Sequence, residues 1–369
     1  MLSETDANGI TTNYSYDNFS RLIKIIKPFD SNNYPSTIYE YEFDGIAPEK
    51  VKTSQRETNA TNNTFDSYSF YDGFRNIIQQ KSESANSNEQ IITDTFFDSS
   101  MRIQRKSNPY FATFNANYSQ PNASIAFSNI SYDPISRIIK TTNPDNTSKS
   151  FNYSKWNTTI TDENGNQIKQ VQDAYSQILE IHEFNSNTEY TTKYSYSAAY
   201  DLLNITDNEN NVFKFTYDTL GRKTSLIDPD LGIWNYSYDA ASNLIKQVDN
   251  RSTVITLSYD KLNRLTMKNS SSERINFTYD SKLNGTLSSI KTQNYTFNYT
   301  YDARYRKSQE LRTIENNSSL STFTYDNLDR IKTITLPNLE SITYNYTNSS
   351  QLQSINGILP LLQYNAFGK

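Results

Sequence analysis

The sequence contains no cysteine, one histidine and only nine glycines. Without cysteine there is no disulfide, no thiol nucleophile and no thiolate metal ligand. The single histidine, His182, excludes a His-based metal cluster and leaves at most one Ser-His-Asp set. In ILEIHEF it alternates with Ile181 and Glu183, which predicts a solvent-facing strand residue. So few glycines leave no Gly-rich phosphate loop, and no residue set calls for a cofactor. No apolar run approaches the ~20 residues of a membrane span, the longest candidate being the short stretch 358–362. The N-terminal MLSETDANG has neither the basic start nor the apolar core of a secretion signal. Net charge is −5, and the Lys and Arg residues are scattered, a poor electrostatic footprint for nucleic acid or an anionic membrane.

Aromatics are abundant: 29 tyrosines and 19 phenylalanines, in a chain whose apolar fraction is only 35%. They must therefore supply much of the buried surface. The richness in Asn, Ser and Thr would by itself suggest disorder, but the spacing of the aromatics argues against it. Marker tyrosines fall at Tyr196, Tyr217, Tyr238, Tyr259, Tyr279, Tyr301, Tyr325, Tyr346 and Tyr364, most followed by Asp, with gaps of 21, 21, 21, 20, 22, 24, 21 and 18 residues. Upstream the signal is looser, at Tyr16, Tyr71, Phe97, Tyr132, Tyr153 and Tyr175. A period of this size marks repeats that complete their burial only against their neighbours. Such an array grows by stacking, so the expectation is one continuous body over 1–369, with irregular repeats in 1–150 and regular ones in 151–369.

One repeat reads FKFTYDTLGRKTSLIDPDLG from Phe213. Phe213, Phe215 and Tyr217 alternate with polar residues, the period that puts rings on one face of a strand. Asp218 can then hydrogen-bond the turn backbone, and Gly221 can take positive φ. The chain returns through Leu226 and Ile227, and Asp228–Gly232 turns it again, so one repeat is one β-hairpin. The layout recurs around Tyr259-Asp260, Tyr301-Asp302 and Tyr325-Asp326. Stacked hairpins would bring the alternate aromatics into ladders worth roughly 0.2–1 kcal/mol per cross-strand pair, and these ladders are expected to hold the array together. Where Ser20, Ser136, Asn263 or Asp329 stands at the glycine position, the turn geometry is expected to vary.

An arginine five residues after the marker recurs at Arg21, Arg137, Arg222, Arg264, Arg306 and Arg330. Functional sites seldom occur in so many copies. A structural role follows, with the guanidinium bonding turn carbonyls or the Asp of an adjacent turn. Carboxylate pairs such as Asp228 and Asp230, or Asp162 and Glu163, have the residue types of a glycosidase but sit at turns, where Asp is expected for backbone bonding. The turns TDENGN (161–166) and TDNENN (206–211) gather oxygens that could hold calcium, though neither matches a defined calcium loop. No catalytic and no metal residue is assigned.

The pattern Tyr-Asp-x-x-Gly-Arg, an apolar pair, then a turn opening with Asp and closing with Gly is complete at Tyr217, Asp218, Gly221, Arg222, Asp228 and Gly232. It resembles the YD-repeat or RHS-repeat family of bacterial polymorphic toxins, toxin-complex cocoon components and teneurin adhesion proteins. The resemblance implies an all-β fold of consecutive antiparallel hairpins, about 21 residues each, spiralling into a shell. The toxin members also carry a self-cleaving core segment, which this chain does not resemble anywhere.

Asn-x-Ser/Thr triplets number 22, and those at Asn235, Asn276, Asn294, Asn298 and Asn345 lie on strands opposite the rings. Either this is a glycan-coated exterior, or a polar strand face makes such triplets by alternation alone. Joining Lys369 to Met1 restores the repeat spacing from Tyr364 to Tyr16, so copies could continue one another head to tail; a window cut from a longer array would show the same. Polar insertions at 58–64, 82–90 and 115–124 are expected as loops and as the partner-contacting surface. The sequence thus predicts a non-enzymatic extracellular or cell-surface wall, scaffold or filament. The alternatives are part of a toxin cocoon enclosing an effector, or a sugar-binding adhesin using Tyr, Trp156 and Trp234.

Overall fold

The computed structural model describes residues 2–58, 61–86, 88–185 and 188–369. Asn59, Ala60 and Ser87, in two of the expected insertions, lie outside the described residues, as do Met1, Ser186 and Asn187. Among the described residues there is no helix, and the chain forms 32 strands from Leu2–Thr5 to Leu352–Ile355. Most strands pair antiparallel with their chain neighbours, as when Lys223–Asp228 lies between Val212–Tyr217 and Gly232–Tyr238, while Tyr110–Thr113 pairs with Glu89–Phe97 and Phe127–Tyr132 with Ile103–Ser107. Alternation decides the faces: in Gly232–Tyr238, Trp234, Tyr236 and Tyr238 are half-buried while Ile233, Asn235 and Ser237 are exposed.

Most marker hairpins carry a one-residue register shift just before the tyrosine, although the hairpin of Tyr153 pairs without one. Thr216 lies opposite Ser225, yet Tyr217 lies opposite Lys223, which leaves Thr224 as the extra residue. The same shift precedes Tyr16, Tyr132, Tyr196, Tyr238, Tyr259, Tyr301, Tyr325 and Tyr346. The extra residue lies in the returning strand, apart from the left-handed Gly221 of the loop, and adds local twist at the end of the hairpin.

The chain divides into two compact units. One comprises residues 129–277 with 291–293, the other residues 1–128, 278–290 and 294–369. The first of these is a hairpin meander in which every described side chain of 129–277 is half-buried or exposed. That burial is what a single sheet layer permits, since each face is covered only by its own side chains.

The second unit has a buried centre, and it is more polar than the aromatic count suggests. Phe70 and Ile92 are buried beside Gln79, Lys81, Gln90 and Asp94, all under 2% exposed. The insertion 115–124, expected as a partner-contacting loop, instead lies down on this sheet face. Phe114 meets Tyr68 edge-on at 6.3 Å and Tyr118 meets Phe70 at 5.8 Å. Beneath it the Lys81 ammonium donates to the carbonyls of Asn115 (3.1 Å) and Asn117 (2.6 Å) and to Ser119 Oγ (2.7 Å). Gln79 exchanges two hydrogen bonds with the Ser119 backbone and donates to Asp94, which also accepts from Tyr110 Oη at 2.9 Å. Burial lowers the Lys81 pKa to about 8, and it raises that of Tyr110 with help from Asp94. The physical reason for the fold-back is the open face of a one-layer sheet: an insertion long enough to cover it gains burial, and its carbonyls satisfy the lysine.

Candidate functional site

The repeated chemistry sits in the five residues after each marker. In 218–222 the Gly221 N–H donates to the Asp218 carbonyl (3.0 Å) and the Asp218 N–H to the Arg222 carbonyl (3.0 Å). Asp218 Oδ1 accepts the N–H groups of Leu220 and Arg222, and Oδ2 accepts Arg222 Nε at 2.6 Å. One carboxylate thus closes the turn and fixes its arginine. Accepting the backbone N–H of Arg222 holds the Asp218 carboxyl below its ordinary pKa, and Arg264 does the same for Asp260. Asp302 with Arg306 and Asp326 with Arg330 repeat the bonds, at 2.7 and 2.6 Å for Nε.

Turn geometry does not vary with the residue at the glycine position. Gly221 has φ 74°, while Ser20, Ser136, Asn263 and Asp329 have φ of 61°, 70°, 59° and 63°. The bonds from the first Asp over-determine the loop, so non-glycine residues are held left-handed. Ser197 takes the place of Asp in one copy, accepting the N–H groups of Ala199 and Asp201.

The marker tyrosines reach back to the preceding hairpin. Tyr238, Tyr259, Tyr301 and Tyr325 each donate Oη–H to the carbonyl of the first residue of its returning strand: Lys223, Leu244, Leu287 and Lys307, at 2.7–2.9 Å. Tyr217 ends its own strand half-buried, its pKa raised by burial and by Asp201. The arginine of each turn then extends toward the next. Arg222 donates to the Asp239 carbonyl (2.8 Å) and its guanidinium lies 4.9 Å from the Tyr238 ring centre. Arg306 does likewise to Asp326 (2.9 Å) and Tyr325 (4.8 Å), and Arg330 lies over Tyr346 at 4.3 Å. On the strands, Lys223 sits between Phe215 and Tyr236, and Lys307 between Tyr299 and Phe323. The expected ladder of rings on rings is thereby corrected: at these positions cations alternate with rings, because the strand between two ring-bearing strands places a long basic side chain against both.

The other candidates separate by environment. His182 is not solvent-facing: its side chain is 13% exposed, with Nδ1 2.5 Å from Glu189, Nε2 3.1 Å from Glu180 and Thr191 Oγ1 at 3.2 Å. Asp162 and Asp207, in the candidate calcium turns, spend Oδ1 on backbone N–H groups and Oδ2 on Asn166 and Asn211. Asp228 accepts the N–H groups of Asp230 and Leu231. Among the described residues no group of three or more acidic or His side chains is placed to hold a metal ion. Asn235, Asn294 and Asn298 are exposed; Asn276 and Asn345 are half-buried, and Asn345 Nδ2 already donates to Ser354 and Asn356.

Sequence reasoning missed a contact within the unit formed by 1–128, 278–290 and 294–369. There the turns between hairpins near the N-terminus seat between marker turns of the C-terminal repeats. Asn8 bonds Asn284 in both directions, and Tyr305 Oη donates to Asp6. Arg304 donates to the Pro28 carbonyl and pairs with Asp30 at 2.8 Å, the two side chains being 4% and 0% exposed. Asn327 donates to Asp30 and, from its backbone, to the Glu57 carbonyl. The one available signal was DARYR at 302–306, which puts an arginine where the other five-residue marker turns carry an uncharged residue such as Leu, Ile, Phe, Tyr, Ala or Ser.

The RHS Repeat family model matches residues 238–274, which contain the Tyr238 and Tyr259 turns. No curated protein matches the sequence. Among solved structures the chain is similar to TcdB2-TccC3, with TM-score 0.86 and 15% identity, covering all of this chain and 24% of that one. It is likewise similar to TcdB2-TccC3-Cdc42 (0.85, 14%, all of this chain and 26% of that one). A third match is the Tc holotoxin pore of Photorhabdus luminescens (0.84, 14%, all of this chain and 26% of that one). The chain therefore spans about a quarter of the length of the chains it matches. Residues 238–274 thus match the RHS repeat model, and the whole chain shares the hairpin fold of these toxin-complex structures.

Proposed function

We propose that this chain is a stretch of non-enzymatic wall in a secreted RHS-repeat shell of the toxin-complex kind. The observation that carries the reading is the fold agreement over the whole chain with part of a toxin-complex protein. The residue chemistry supports it: the recurring Asp, Arg and Tyr groups are spent on closing turns and joining neighbouring hairpins. Toxins act outside the cell that makes them, which supports an extracellular place. Electron cryo-microscopy of the protein together with whatever sequence flanks it in its gene tests the reading. Hairpins continuing into a closed wall around a cavity are expected; a solid domain flanked by unrelated folds would overturn it.

Glycan attachment belongs to the same reading. Asn235 and Asn298 present exposed acceptors on strands, and intact-mass measurement of natively produced protein is expected to exceed the bare chain by glycan increments. A second reading, a sugar-binding adhesin, is favoured by Trp156, whose indole is 59% exposed at a turn. A glycan array that shows binding lost in Trp156→Ala would support it over the wall.

A further inference from the structure

The meander of 129–277 has two edges of turns, because successive turns of an antiparallel meander fall on opposite sides. On the marker edge, the third residue of the turn is large and exposed in four turns, Ile135, Tyr175, Leu220 and Leu262 at 70%, 71%, 68% and 70%, with Ala199 and Ala241 at that position in turns between them. A row of large, mostly apolar side chains on every second hairpin has no use in water. The opposite edge is acidic. Its turns carry Asp162 and Glu163, Asp207 and Glu209, and Asp228 and Asp230, with both glutamates exposed.

The other unit shows what such edges do when they meet. There the third residue of the marker turn 302–306 is Arg304, and it is buried against Pro28 and Asp30 of a turn from the opposite kind of edge. Leu328, at the same position one hairpin later, is half-buried instead of exposed. The seating is periodic: the turn with Asn8 contacts Asn284 and Tyr305, the turn with Asp30 contacts Arg304 and Asn327, and Glu57 contacts Asn327 and Arg330. Each turn of one edge enters the notch between two turns of the other. This works because both edges repeat every two strands, about 9.5 Å at ~4.8 Å per strand. The acids at the seated edge, Asp6, Asp30 and Glu57, meet donors from the marker edge. The two edges of 129–277 share that spacing, and their charges match in the same sense. The acidic turns face a marker edge that offers Lys261 and Arg137, the latter 45% exposed beside its Asp133 partner.

We infer that the marker edge of 129–277 is a docking surface for a second copy of this chain, which seats its acidic turn edge of 129–277 between the exposed apolar tips. The contact is heterologous, since it joins two different surfaces, and it can repeat from copy to copy. It differs from strand-to-strand continuation at Leu2–Thr5, because it uses turns and leaves strand edges alone.

The test uses the intact chain in sedimentation velocity over a wide concentration range, with two exposed-site variants. Leu220→Glu/Leu262→Glu spoils the tips; Glu163→Lys/Glu209→Lys spoils the acidic turns. Wild type is expected to associate, and each variant alone to weaken association by roughly tenfold or more, with unchanged circular dichroism. Mixing the two variants gives the decisive result. Each keeps one good edge, so the mixture is expected to recover association but stop at 1:1 heterodimers. A wild type that stays monomeric at about millimolar concentration overturns the inference. So does association that neither variant disturbs, which would point to strand continuation, or a mixture that recovers nothing, which would point to a contact of like surfaces.

Discussion

Position four of the marker turn is left-handed whatever residue stands there, so its side chain is under strain that depends on residue type. A β-carbon in this region costs about 1 kcal/mol, and Asn tolerates it best. The turn 336–340, which joins one hairpin to the next, has the same geometry: Leu339 has φ 67° and is 84% exposed, with little packing to offset the strain. Leu339→Gly is expected to stabilise by about 0.5 kcal/mol once the extra entropy of glycine is counted, whereas Asn263→Gly should be close to neutral. Gly221→Ala should cost about 1 kcal/mol, because its β-carbon would find only an ordinary 3.6 Å contact with Asp201 and the whole penalty is torsional. Chemical denaturation of the three variants checks the order. The sequence showed this position through glycine in two copies, Gly221 and Gly368; it hid the constancy of the geometry because Ser, Asn and Asp read as relaxed alternatives, when the turn bonds hold them in the same place.

Glu83 provides the pH dependence at the same scale. Burial raises its pKa to about 7, with Asp66 adding to the shift. The native state therefore binds this proton more tightly than the unfolded chain does between about 4.5 and 7. Stability is greatest below that window and declines as pH rises through it. Glu57 is shifted in the same direction by burial, whereas Asp218 and Asp260 are held low and titrate beneath the window. Thermal melts should show a higher midpoint at pH 5 than at pH 7, and Glu83→Gln should reduce that difference and raise the midpoint at pH 7.

The hairpin as an element was legible because each of its parts is local. Alternation at Phe213, Phe215 and Tyr217 set the strand, and Asp218 with Gly221 set the turn, all within ten residues. What joins one hairpin to the next was only half legible. The rings were visible, and Arg222 was expected to bond turn groups, but its place over the next ring and that of Lys223 between two rings emerged only once the register was known. Two bonds between hairpins can be separated by mutation. Tyr238→Phe removes the hydroxyl from the Lys223 carbonyl and should cost about 1 kcal/mol with the ring contact kept. Arg222→Gln removes the Asp218 pairing, the Asp239 carbonyl bond and the cation over Tyr238 together, and should cost more. If equilibrium unfolding gave equal losses, the arginine would add nothing beyond the tyrosine. The insertion 115–124 was misread for a different reason: its sequence is that of a polar loop, and only the sheet beneath it, with Lys81 needing three acceptors, makes it part of the core.

At the scale of the whole molecule, the sequence carried least information where the chain meets itself over long separations. The Asp30–Arg304 pair spans 274 residues, and no periodicity connects its members. It is nevertheless the most deeply buried ion pair among those described, with neither side chain more than 4% exposed. An ion pair in such a place adds little net stability as a pair, because desolvation offsets the attraction, yet breaking it strands a charge. Asp30 also accepts from Ser36 and Asn327, so its loss would leave several donors unsatisfied at once. Asp30→Ala is therefore expected to destabilise the unit by about 3–5 kcal/mol, seen as a lower denaturant midpoint and as faster amide exchange in 27–30 and 302–306. The double variant Asp30→Leu/Arg304→Met should recover part of the loss, because it removes both charges together. If the double variant were as unstable as Asp30→Ala, the stranded charge would not be the cause, and the contact would rest on the Ser36 and Asn327 hydrogen bonds instead.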